Sequence, residues 1–468
     1  MFCFQLFSNF SVVLRYIYIG LAIFFFACSG EHSVDKRQNE VTWTNNIANI
    51  VFTNCTPCHR PNQAGPFNLL SYNDAVKKAK LIKFVTQTGY MPPWPADASY
   101  THFVGERVLA DSIKSMIKQW VEQGCKYGDS ALKPEPPSFN NLSFYRQPDL
   151  VIKAQQPVTI KGNGTDAFYI VKFPYEIPHD TIVDFVEFVP HQRKLVHHVN
   201  GHLVSYDSKR KFNYQNGVGI NLDVTKNLMS AYSEMHIPYT DGLQPKFPTL
   251  TPNTVYYLPG YLPPNYPDDV GGFPLKKHGL FLLNNIHYGP SSIDCVDSSY
   301  LNVFFRKTPI KRGVKETQLG TFGVSEIEPA FFIEPNKVKT FVTQTTLSQD
   351  ISVLSVNPHM HLIGKSFWAF AFLGSDTIPL IRIKKWDFRW QYYYTFLHPL
   401  KIPKGYTIKV IGEFDNTAQN PNNPFHPPRL ITNGNGVESM KTTEEMFQFI
   451  FTYMPYKTGD ETISLNRP

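Results

Sequence analysis

The feature that most constrains this chain is a change of hydrophobic period across a proline-rich connector. Lys133-Pro-Glu-Pro-Pro-Ser lies within residues 131–143 and suits neither a helix nor a central strand. Before it, from Val41 to Gly128, the pattern is helical. Ile113, Met116, Ile117, Trp120 and Val121 recur at the spacing of one helix face, and Gly124 ends that helix. After it, runs such as Phe168–Phe173, Thr181–Val189, Gly279–Leu283 and Tyr406–Ile411 alternate with Pro, Asn and Gly turns, the signature of strands. The chain therefore reads as a small all-α domain over residues 41–130, the connector, and an all-β region. A region of that length is long for one sandwich, so it divides near Arg312 into sandwiches over 144–311 and 312–468.

Composition agrees. Aromatic residues make up 15% and charged residues 18% of 468 residues, with 37 Pro and 37 Phe, a balance that suits turn-rich β-sandwiches better than a helical bundle. The net charge of +7 is spread without a concentrated Lys/Arg run, so nothing points to a nucleic-acid partner.

Residues 1–28 read as an export signal: Arg15 is the single charge before the apolar run Tyr16–Ala27, and Cys28-Ser-Gly opens a polar stretch. Ala27 before Cys28 resembles the cleavage site of a bacterial lipoprotein, where the cysteine is lipidated. The bulk of Phe26 leaves an uncleaved membrane anchor as the alternative. Either form places the protein in a bacterial cell envelope, with its domains in the periplasm or at the surface. Cys3 and Cys28 belong to this segment and Cys55 and Cys58 to the motif below, which leaves Cys125 and Cys295 and no disulfide framework.

Cys55-Thr-Pro-Cys58-His59 has the spacing by which paired thiols form thioethers to haem while the adjacent histidine takes an axial position on iron. A thioredoxin-like pair or half a zinc site is the competing reading, but the chain has neither a βαβ context nor a second C-x-x-C. The chosen second axial ligand is Met91, on the stiff run Tyr90-Met91-Pro-Pro-Trp94-Pro. Met116 is the alternative, on a helix stripe that suits a core residue.

Histidines cluster in the β region. His197 and His198 are adjacent on a strand-like run, so both reach one metal only at a bend or bulge. His287 follows in Ile286-His-Tyr-Gly289, and His359-Met-His361 places both imidazoles on one strand face. Imidazoles suit Cu, Zn, Ni or Fe, and a thioether beside them favours a soft ion such as Cu(I). His202, His236 and His278 lie near these motifs and suit supporting roles.

In order, His-His, His-Tyr-Gly, His-x-His-Leu-x-Gly-Lys and Glu-Glu-Met resemble the copper type II, ascorbate-dependent monooxygenases, which include peptide-amidating and dopamine-hydroxylating enzymes. The resemblance covers roughly residues 149–455. It implies jelly-roll-like sandwiches, one copper on His197, His198 and His287, and a second, catalytic copper on His359, His361 and Met446, facing each other across a solvent-filled cleft. Met454 suits packing or the surface. The implied chemistry is hydroxylation of a C–H bond with O2, by electrons from ascorbate or from the cytochrome domain. Amidating members carry an arginine where this chain has Asn357, and a tyrosine where it has Ile450. A substrate ending in glycine is therefore not expected, and the organic substrate stays open. The alternative is a non-catalytic copper and haem protein for electron transfer or metal binding.

Overall fold

The computed structural model describes residues 40–139, 146–206, 213–221, 228–240, 245–261, 263–264, 266–267, 269–433 and 442–465. Residues 1–28, expected to be an export signal, lie outside them with Cys3 and Cys28. Among the described residues no helix is long and apolar enough to cross a membrane.

The protein is predominantly β, with few helices. In the first β unit, a four-stranded sheet runs in the order Leu150–Lys153, Tyr300–Phe305, Thr181–Val189, Phe273–Leu275. A five-stranded sheet runs Ile220–Asn221, Ala167–Glu176, His278–Tyr288, Val196–Ser205, Thr249–Tyr257. Both sheets are antiparallel and share one core, in which Val171, Phe173, Leu203, Phe281 and Leu283 meet Val183, Phe188, Leu301 and Val303. The strand-like runs of the sequence supply these elements because their alternation buries one face.

The second β unit begins at Lys315–Gly320. That strand joins Phe447–Pro455, Ile351–Met360 and Tyr394–Ile402 in one sheet, while Val338–Thr346, Thr407–Asp415, Gly364–Leu373 and Asp376–Ile383 form the other. Phe341, Phe367, Phe414, Phe447 and Phe449 fill the core between them. Tyr256 and Leu258, from the end of a first-unit strand, belong to the same core and join the units.

The all-α cytochrome domain expected over 41–130 is not evident as such a fold. The stretch holds short helices, Ala48–Asn54, Tyr72–Lys77, Ala79–Gln87 and Asp111–Glu122, preceded by a π-helical turn, Trp43–Ile47. They pack around Trp43, Ile47, Val51, Ile117 and Trp120, with Met116 against this core. The stretch is also not self-contained, because Ala96 and Phe103 are buried in the core of the second β unit. Ala96 bridges Ile383 and Phe103 bridges Phe396. Asp97 pairs with Arg382 at 2.7 Å and Lys384 at 2.9 Å, and Tyr100 accepts from Trp368 Nε1 at 2.8 Å. The cause is local: Pro92, Pro93 and Pro95 bar a helix, and the extended run buries its apolar side chains on the neighbouring sheet.

Candidate metal centre

His198 and His287 face each other on neighbouring central strands, and the pairing slips beside them: His287 opposes His198, while Tyr288 opposes Val196. His197 is the extra residue of this bulge, the geometry that lets adjacent histidines converge. Ring centroids lie 4.8 Å apart for His197 and His287 and 4.9 Å apart for His198 and His287. Gly289 of the His-Tyr-Gly run leaves space for this arrangement, since a Cβ there would lie 2.6 Å from His197 Nε2.

Burial followed by His287 lowers the His197 imidazole to about 4, and burial drives His198 well below its ordinary value. Both rings are therefore neutral at neutral pH, the form that binds metals. His287 stacks on Phe168 at 4.3 Å and donates from Nε2 to Asp166 Oδ1 at 2.7 Å. Its Nδ1 is buried without a hydrogen-bond partner. A neutral imidazole with its proton on Nε2 keeps its lone pair on Nδ1, so Asp166 sets the tautomer that aims a donor inward.

Asp166, His197 and His287 also each present a ligand-type atom within 4.8 Å of the others, a group able to hold a metal ion. Asp166 already binds the Nε2 proton, so its geometry suits a partner that orients His287 better than a direct ligand.

His359 is the last residue but one of the Ile351–Met360 strand and His361 follows that strand, with ring centroids 5.1 Å apart. Burial and then His361 lower His359 to about 3. His359 Nδ1 donates to Gln391 Oε1, and His361 Nδ1 donates to the Glu444 carbonyl at 2.7 Å. With its proton on Nδ1, the His359 ring carries its lone pair on Nε2. The Glu-Glu-Met run has a structural role: the Glu445 carboxylate accepts from His361 N at 2.8 Å and Ile363 N at 2.7 Å. Burial raises Glu445 to about 8 against these hydrogen bonds. Met360 opposes Phe447 across the strand pair, so Met446, itself buried, sits beside His361. Gly364 makes room for Met360 and Trp386, and Trp386 Nε1 donates to the His361 carbonyl at 3.1 Å.

The histidine sets approach the same aromatic side chain, the half-buried Phe388. Phe388 lies between them, with ring centroids 6.0 Å from His198, 6.3 Å from His287 and 5.7 Å from His361. Its loop is held by Gln391 Nε2 on the Phe388 carbonyl at 2.7 Å. Asn357, where amidating enzymes carry arginine, donates to the carbonyls of Gln391 at 3.3 Å and Tyr392 at 3.0 Å.

In the helical stretch, His59 Nδ1 donates to the Phe67 carbonyl at 3.1 Å, leaving Nε2 free, and Gly65 packs against the ring where a Cβ would clash. Burial, then Cys58, pushes the Cys55 thiol up to about 12. Burial also raises Cys58, opposed by Arg107 and Arg60. Both thiols are free, as are Cys125 and Cys295. Met91 lies past the Ala79–Gln87 helix with its amide on the Val85 carbonyl at 3.1 Å. Among the described residues, no hydrogen bond or ring contact joins Met91 to His59. Met454 is fully buried beside Tyr266 and Leu354, a packing residue. His202 accepts from Asn253 N at 3.2 Å and His278 stacks on Tyr214 at 5.6 Å, both apart from the ligand sets.

Asp166, Phe388 and Gln391 are contributions that sequence reasoning missed. Asp166 ends the turn-like Gly162-Asn-Gly-Thr-Asp run, and the other two sit in an aromatic stretch that reads as core.

The class that fold and site define is a mostly β protein carrying separate imidazole sets on adjoining β units. No protein-family model and no curated protein matches the chain. Solved structures that align with it include PNGF-II, at 12% identity over 68% of this chain with a TM-score of 0.20. The chain spans 65% of the PNGF-II chain. Another is infectious bursal disease virus, Gt strain, at 11% identity, 69% of this chain and 79% of that chain, with a TM-score of 0.15. Likeness this low carries no argument about fold or function.

Proposed function

We propose that the chain is an exported, haem- and copper-containing monooxygenase that hydroxylates a C–H bond of an organic substrate with O2. The observation that carries this reading is the pair of imidazole sets with preset tautomers on opposite sides of Phe388. The donor chemistry fits copper: imidazoles alone in the first set, imidazoles with a thioether in the second. The buried His287 Nδ1, without a hydrogen-bond partner, offers its lone pair to an ion. On this reading His197, His198 and His287 hold the first ion, and His359, His361 and Met446 the second, on jelly-roll-like sandwiches. Copper when bound supplies one-electron chemistry and O2 binding.

The remaining work falls to the chain. Asp166, Gln391 and the Glu444 carbonyl fix ring tautomers, Glu445 ties the Met446 strand to the His361 turn, and Phe388 packs its ring against histidines of both sets. Cys55, Cys58 and His59 fit a c-type haem, which when bound supplies a reversible one-electron store. The thiols of Cys55 and Cys58 are free to form thioethers, and His59 Nε2 and Met91 would be the residues that hold the iron. The export segment would anchor the domains at the cell envelope through a lipid or an apolar helix.

A non-catalytic electron-transfer or metal-binding protein is the second reading, favoured by the contact of the Phe388 ring with histidines of both sets, in the space where a substrate would sit. Oxygen consumption separates them. The oxygenase consumes O2 in proportion to an added substrate and loses this in His359→Ala; consumption that no organic substrate raises would contradict it.

A further inference from the structure

A cavity of about 220 Å³ lies where the two β units meet, and no histidine of either set lines it. It exceeds the roughly 30 Å³ share of one water several times over, yet falls short of the roughly 300 Å³ at which drug-sized sites begin, so it suits a small molecule. The first unit builds one wall by breaking its strand register. Gly201 pairs with Val255 and Leu203 with Thr251, so Pro252, Asn253 and Thr254 stand opposite His202 alone. Such a bulge re-aims side chains that a regular strand would place on the sheet faces. Asn253 takes the left-handed conformation this requires, and its amide is held by His202 Nδ1 at 3.2 Å. Thr254 Oγ1 is buried without a hydrogen-bond partner, the mark of a site that something else completes. The second unit supplies Glu316, from the Lys315–Gly320 strand, whose carboxylate accepts from Asn253 Nδ2. Among the described residues no lysine or arginine pairs with Glu316, and burial pushes its carboxyl up to about 7 against the Asn253 hydrogen bond. Asp184, the other carboxylate lining the cavity, is already held by Arg306 at 2.6 Å, and Lys315 is exposed to solvent. Tyrosine rings form the rest of the wall: Tyr256 meets Tyr261 and Tyr393 edge to face at 4.8 and 4.7 Å, and its hydroxyl is spent on the Gln391 carbonyl. Ring surface beside an unpaired carboxylate favours a cation with an apolar tail.

We propose that this cavity is a binding site for a small primary alkylammonium ion, with Glu316 as its counter-ion, Thr254 Oγ1 accepting one N–H and the tyrosine rings covering its alkyl part. An alcohol would satisfy Thr254 but leave the carboxylate without a cation, and a carboxylate ligand would be repelled by Glu316. The inference stands apart from the haem and copper reading, since none of the proposed metal-holding or haem-holding residues lines the cavity.

The test titrates the full chain with n-butylammonium, followed by ligand-observed nuclear magnetic resonance, and repeats the titration with its neutral isostere 1-butanol and with butyrate. The ammonium ion is expected to saturate one site with a dissociation constant on the order of 1 mM, the scale for so few atoms, while the alcohol and the anion do not saturate. Glu316→Gln, which keeps the shape and an acceptor for Asn253, is expected to weaken binding about 100-fold, and Thr254→Val, which removes only the hydroxyl, about 10-fold. Thermal melting checks that both variants fold. The wild-type titration is also run with a chelator and with added Cu(II), and equal affinity in the two is expected. 1-Butanol binding as tightly as the ammonium ion, wild-type affinity in both folded variants, or ammonium binding only with Cu(II) present would overturn the assignment; the last would put the amine on a metal ion instead.

Discussion

Gly289→Ala puts the geometry of the first histidine set under direct test. The added Cβ would lie 2.6 Å from His197 Nε2 and 2.9 Å from Cε1, whereas ordinary contact begins at 3.4 Å. The ring must therefore retreat by about 0.8 Å, against a tolerance of about 0.2 Å in metal–ligand distance. Gly289 is not in the left-handed region, and the hydrogen bond that its amide donates to the Leu195 carbonyl at 2.7 Å survives the change. The fold should thus persist while His197 leaves the ligand set. We expect one of the copper ions to bind about 10- to 100-fold more weakly, the range for disturbing ligand support. Copper titration followed by paramagnetic resonance reads this, with thermal melting as the check on folding. Gly313→Ala, where an added Cβ meets nothing within 4 Å, is the control expected to leave both unchanged. Full copper affinity in Gly289→Ala would refute the placement of His197.

Other expectations follow from the contacts. Asp166→Asn removes the carboxylate that sets the His287 tautomer but not a ligand, so copper should stay bound with an altered resonance spectrum; complete loss of one copper would make Asp166 a ligand instead. Glu445→Gln takes an acceptor from the His361 and Ile363 amides and should cost about 1–3 kcal/mol, read as a lowered denaturation midpoint. Burial pushes the Asp460 carboxyl up, but hydrogen bonds from Arg312, Ser352 and the Lys457 amide bring it down to about 2 from 3.8. Because this pKa is depressed on folding, its contribution of about 2 kcal/mol is fully present above pH 3.8 and is lost as pH falls towards 2. Asp460→Asn should destabilise the second β unit by about 3–5 kcal/mol at neutral pH, and an unchanged urea midpoint would contradict this.

Much of the architecture is legible in the chain because periodicity and burial coincide. The stripe Ile113, Met116, Ile117 and Trp120 lies on the Asp111–Glu122 helix, and the alternating runs fall within Ala167–Glu176, Thr181–Val189, His278–Tyr288 and Thr407–Asp415. Adjacent His197 and His198 demand a bulge, and the strand register has one there. Local pattern does not reveal long-range docking. The packing of Ala96 and Phe103 into the second core depends on a sheet formed hundreds of residues later, and the helical stretch therefore looked self-contained. Asp166 and Gln391 escaped for a related reason: each acts on a histidine far away in sequence, and their neighbours read as a turn and as core. The contact of Phe388 with both sets likewise comes from a loop fold that no spacing encodes.

Haem and copper content, with optical and paramagnetic resonance spectra, tests the central claim most directly, on the chain from Ser29 onward produced under cytochrome-maturing conditions. The account predicts one covalent haem and two type II coppers per chain, with one copper lost in Met446→Ala. Haem without stoichiometric copper would contradict the oxygenase and leave an electron-transfer or binding protein.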